Sequence, residues 1–168
     1  MNHPYPVLEN HFRLYQRHLR EEAWYSAAVA LAEIFQATAS LPAEQRTEWQ
    51  SRLNEELTDT FVQEVRIGQD QTIKRIHRVL SVGSEWTGEE ILLVMLYRID
   101  VEIIFDFLGS AAAVESMVHL KHIDDQLSTL EKSKNHAPSF RWSLQRMKKV
   151  AVFDVERVWV ALMHGNQS

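Results

Sequence analysis

Apolar residues recur at helical spacing along most of this chain, and the interruptions between those runs set the expected elements. After Pro4 and Pro6 a helical pattern covers residues 7–38, and a break near Arg20 to Ala23 leaves one long helix or a hairpin. Trp49, Leu53, Leu57, Phe61 and Val65 then follow at strict four-residue spacing, which predicts a helix that Ser40 caps and Gly68 stops. Each step of four turns the stripe by about 40°, so it slants and suits a neighbour crossing at an angle. Asp70 is expected to cap a short helix to about Val82, carrying Ile73, Ile76, Val79 and Leu80. Thr87-Gly88-Glu89-Glu90 reads as a capping box, the Thr oxygen accepting a backbone N–H while Glu90 reaches back. Residues 91–108, ILLVMLYRIDVEIIFDFL, form the most apolar run and end at Gly109, after which Ser110 is expected to cap a helix to about Lys132. The stretch Asn135 to Ser139, with Pro138, is the clearest loop, and one last helix is expected over residues 139–164. The pattern predicts an all-α chain, a single-domain helical bundle of about six to seven helices over residues 1–168, with no internal repeat.

Composition narrows the function classes. At 168 residues, 45% apolar and 24% charged, the chain has the balance of a globular domain. Five Gly and four Pro are too few for the turns of a β-sandwich or barrel. The absence of Cys excludes disulfides, thiolate nucleophiles and Cys-based zinc or iron–sulfur sites, which makes the cytoplasm the expected compartment. The first residues, MNHPYPVLENHF, lack the basic and apolar regions of a secretory signal. Uncharged stretches such as Ala23–Ala32 fall well short of the ~18 apolar residues that span a bilayer, so no membrane segment is expected.

Charge is unevenly distributed. Residues 1–20 hold three Arg and one Glu, residues 21–131 hold 20 acids and eight bases, and residues 132–168 hold seven bases and two acids, so the three parts carry +2, −12 and +5. The basic last segment either docks on the acidic body or faces an anionic partner. On a helical wheel for residues 139–164, Phe140, Leu144, Met147, Ala151, Val155, Val158 and Leu162 form the core face. The opposite side interleaves Trp142, Phe153 and Val160 with Arg146, Lys149, Arg157 and His164. Aromatics among cations suit an acidic protein groove or nucleic acid, and they equally suit a helix lying between two layers of a bundle.

Catalytic patterns are sparse. The glycines stand alone, which excludes a phosphate-binding loop, and neither Gly-x-Ser-x-Gly nor His-Glu-x-x-His occurs. Arg157 and His164 sit at a spacing that 12 Arg and eight His produce by chance. A helix-turn-helix opening within residues 30–53 would carry Glu44, Glu48, Glu55 and Glu56 beside Arg46 and Arg52 on and just after its recognition helix, acids that repel phosphates. Within residues 91–108, Arg98, Glu102 and Asp106 share one stripe at four-residue spacing and read as a wet edge, whereas Asp100 falls on the opposite side among Leu93, Leu96, Ile103, Ile104 and Phe107 and needs a partner if buried there. An antiparallel hairpin about Gly109 and Ser110 sets Asp100 level with His119, on a stripe with Glu115 and His122. Asp100, Glu115, His119 and His122 are ligand types that zinc or non-haem iron accepts, and the simpler reading is an Asp–His hydrogen bond or an ion pair from Asp100 to the last helix.

No cofactor is therefore expected. The residues point to a non-catalytic protein–protein interaction protein, a regulator, adaptor or chaperone-like subunit, that binds another protein or itself through Trp142, Arg146, Lys149, Phe153 and Arg157. The competing readings are a metal-dependent helical enzyme at Asp100, His119 and His122, and nucleic-acid binding through the basic last helix, which the net charge of −5 disfavours.

Overall fold

A computed structural model of the chain describes residues 5–83 and 85–165, and every regular element in them is helical. Eight α-helices follow in order, α1 Tyr5–Arg20, α2 Trp24–Thr38, α3 Ala43–Glu55, α4 Asp59–Val82, α5 Gly88–Leu108, α6 Leu120–Lys132, α7 Ala137–Val150 and α8 Val155–His164. Two 3₁₀ turns, Gly109–Ala112 and Glu115–His119, join α5 to α6. No described helix is long and apolar enough to cross a membrane. The chain divides into two compact units, the first made of the described residues up to Gln69 with Ile103–Ala113, the second of Asp70–Glu102 with the described residues from Val114.

In the first unit α1 and α2 form a hairpin, turned at Glu22 in a left-handed conformation (φ 53°). Small residues let α2 be approached closely, with Ala27, Ala28, Ala30 and Ala32 all buried. Its core is aromatic: Phe12 meets Tyr15 at 5.3 Å between ring centroids and Trp49 at 6.2 Å, and Phe61 meets Tyr15 and Trp24 edge-on. Arg52 lies over the Phe12 and Trp49 rings while its guanidinium grips Glu9 at 2.6 Å, which holds the Glu9 carboxyl below its usual pKa. Burial first and a hydrogen bond to Glu56 second push the Tyr15 hydroxyl well above the usual tyrosine range.

The expected helix from Ser40 to Gly68 is two helices. Thr58 opens α4 by accepting the Phe61 N–H at 3.2 Å, whereas the Ser40 hydroxyl donates back to the Ala37 carbonyl and caps nothing ahead of it. Gly68 does not stop α4. It serves packing instead, because a Cβ there would stand 2.7–2.9 Å from the Tyr25 ring. Asp70 accordingly lies inside α4 rather than at a helix start.

In the second unit the Thr87 to Glu90 capping box forms as read, with Thr87 N–H to Glu90 at 2.9 Å and Glu90 N–H to Thr87 at 3.2 Å. Buried Ile73, Ile76 and Leu80 of α4, Ile91, Val94 and Met95 of α5, and Ile123 and Leu127 of α6 supply much of its core. Gly109 ends α5 with φ 59°, as its position suggests. Ser110 does not open a continuous helix, since the two 3₁₀ turns intervene before α6. The helix expected over residues 139–164 is likewise two. The chain leaves helical geometry at Ala151 (ψ 143°), and Asp154 starts α8 by accepting the Arg157 N–H. Phe140 from α7 and Trp159 from α8 then pack at 6.1 Å, and the indole N–H of Trp159 reaches Glu131 on α6 at 3.1 Å.

Candidate functional site

The sequence of α7, APSFRWSLQRMKKV, contains four cations and no acid. Phe140, Ser143 and Met147 recur at three and four residues and are buried, so the remaining positions form the outer face. Trp142 and Lys149 lie seven residues apart, nearly in line along that face, with Arg141 and Arg146 flanking the line. Trp142 is 37% exposed although it is the largest side chain of the helix, and Val150 on the flank is 77% exposed.

A hydrogen-bonded scaffold orients this face. The Trp142 ring lies beside Gly88, the first residue of α5, where a Cβ would make an ordinary contact at 3.6 Å. One residue on, Glu89 accepts from Arg146 at 3.1 Å, and the Arg146 guanidinium sits 4.9 Å from the Trp142 ring centroid. Carboxylate, guanidinium and indole thus meet in sequence at the surface, the first two through a hydrogen bond and the last two through a cation–π contact. Lys148 pairs with Glu156 of α8.

The structure brings together three of the five residues expected at a contact. Trp142, Arg146 and Lys149 share α7. Phe153 is half-buried in the link between α7 and α8, and Arg157 is exposed in the first turn of α8, so the break at Ala151 removes both from the wheel that joined them to the others. Arg141, which sequence reasoning passed over, joins the set, and Glu89 had no signal along the chain because it comes from another helix.

The charge buried in α5 is also not where the wheel put it. Asp100 is half-buried, whereas Arg98, read as part of a wet edge with Glu102 and Asp106, is 3% exposed. Its Nε and Nη2 donate to both oxygens of Asp124 at 2.6 and 3.0 Å, and Nη1 donates to Glu102 at 3.1 Å. Burial opposes the Arg98 charge most strongly, but the Asp124 hydrogen bonds, then the charges of Asp124 and Glu102, hold its pKa above the ordinary arginine value.

His119 stacks on His77 of α4, centroids 4.2 Å apart and planes 14° from parallel, and the exposed His122 stands edge-on to His77 at 6.0 Å. Glu115 is exposed at the start of the second 3₁₀ turn. Its neighbour Ser116 donates backbone N–H to Asp70 at 3.4 Å. Lys74 chiefly, with Ser116 next, holds the Asp70 carboxyl below its usual pKa. Asp100, Glu115, His119 and His122 do not form one ligand set, and among the described residues no group of three or more His, Asp or Glu side chains is placed to hold a metal ion.

Comparison of this chain with protein-family models, with curated proteins and with solved structures returns no match.

Proposed function

We propose that this protein is a non-catalytic protein–protein interaction module whose contact face is the outer side of α7, centred on Trp142 with Arg146 and Lys149. The observation that carries the proposal is a 37% exposed tryptophan held under a guanidinium, on a helix of four cations and no acid. Trp and Arg are among the residue types enriched where truncation at a protein contact costs about 2 kcal/mol or more, because both present a large contact area. Arg146 is already oriented by Glu89, so less side-chain freedom is lost when a partner arrives.

The test is affinity capture from cell extract with the wild type and Trp142→Ala as parallel baits, each checked for fold by circular dichroism and melting. A partner retained by the wild type and lost by the folded variant supports the proposal. An unfolded Trp142→Ala protein shows instead that the ring is core and sinks it. Identical capture by both baits also counts against the α7 face.

A further inference from the structure

We infer that the α7 face takes an acidic protein segment carrying an apolar anchor rather than a nucleic acid. This deepens, and rests on, the reading of α7 as the contact face. Of the four α7 cations, Arg146 is engaged by Glu89 and Lys148 by Glu156. Arg141 and Lys149 meet no acid among the described residues, and both are exposed. Trp142 and Lys149 stand two turns apart, about 10 Å along the axis. A segment lying along α7 therefore meets the indole and then Lys149 in line, with Arg141 beside the indole on the flank. Carboxylates on that segment would reach Arg141 and Lys149 while one apolar side chain covers the open part of the indole.

The surroundings select against a polyanion of greater length. Glu89 and Glu156 are exposed at the margins of the patch, with side chains 70% and 58% accessible, and would repel a phosphate chain running past it. The Arg146 guanidinium already occupies a face of the Trp142 ring, where a base would otherwise stack. A peptide avoids both obstacles, because its carboxylates are spaced by side-chain choice and an aliphatic or phenyl group can use the ring edge.

The experiment is a fluorescence-anisotropy titration of the full chain with three labelled probes: a short peptide of glutamates around a central phenylalanine, the same peptide with lysines for glutamates, and oligothymidylate. The glutamate peptide is expected to bind, and Trp142→Ala and Lys149→Glu are each expected to weaken it at least about tenfold, or ~1.4 kcal/mol. Lys149 is exposed, so its charge reversal leaves the fold intact and keeps the test valid should the Trp142 variant unfold. Tighter binding of oligothymidylate, or unchanged peptide affinity in Lys149→Glu, overturns the inference. If no probe binds but native mass shows an oligomer that Trp142→Ala dissociates, the occupant is a second copy; the inference fails while the contact-face proposal survives. If no probe binds and Trp142→Ala changes neither assembly nor capture, both fail.

Discussion

Replacing Arg98 with methionine keeps most of the side-chain volume and removes the charge that two carboxylates share. Arg98 is 3% exposed, and its loss strands Asp124 and Glu102, whose side chains are 19% and 31% accessible. Breaking a fully buried ion pair costs about 3–5 kcal/mol, mainly because the abandoned charge remains desolvated. Partial exposure of both carboxylates lets them rehydrate, so the expected cost is about 2–4 kcal/mol. For a chain of this length that lowers the midpoint of thermal unfolding by roughly 4–16 °C. Asp124→Leu combined with Arg98→Met removes the more buried of the two stranded carboxylates and should recover more than half of the loss, whereas Arg98→Lys should recover little, since an ammonium cannot make the two-pronged contact to Asp124. Urea unfolding at neutral pH, followed by tryptophan fluorescence, measures each variant. A cost under about 1 kcal/mol for Arg98→Met would refute the placement of Arg98 as a buried ion-pair hub.

Three further outcomes are expected. Gly88→Ala should be neutral or stabilise by about 0.4–1 kcal/mol, because its Cβ meets only an ordinary contact, while Gly68→Ala should destabilise, its Cβ falling 2.7–2.9 Å from the root of the Tyr25 side chain; melting temperatures of the two variants decide it. Asp70 has a folded pKa below its unfolded value, so its contribution to stability is fully present above the unfolded value near 4 and is lost as pH falls through the folded value; the stability gap between wild type and Asp70→Asn should therefore close in acid titrations. Trp142→Ala should cost under about 1.5 kcal/mol where Phe140→Ala, which empties a fully buried site on the same helix, costs about 3–5 kcal/mol. Comparable losses in parallel denaturation curves would show that Trp142 belongs to the core.

Local chemistry was legible in this sequence where one short segment contains all the participants. Thr87 and Glu90 announce their reciprocal hydrogen bonds, and Gly109 announces a left-handed stop. Gly68 carries the same letter and means something else, because what decides its role is a Tyr25 ring that arrives from 43 residues away. The break before α8 was hidden by an apolar stripe that continues in register across it, and it is Asp154, accepting the Arg157 N–H, that starts the new helix. Arg98 was misplaced for a physical reason. Charge assigned it to solvent on the wheel, and only the partner carboxylate on α6 makes its burial tolerable. The candidate site divides in the same way: the acid-free composition of α7 is readable in the chain, while the Gly88 and Glu89 scaffold beneath Trp142 exists only once α5 and α7 are packed.

The proposed contact face requires Trp142 to be open in the free protein and covered when a partner binds. Hydroxyl-radical footprinting with peptide mass spectrometry compares it directly with Trp49 and Trp159, which are both 1% exposed. Strong oxidation of Trp142 and little of the other two is expected in the free protein, with Trp142 alone protected once a partner is bound. Protection of Trp142 equal to that of Trp49 in the free protein, or unchanged oxidation in the complex, would contradict it.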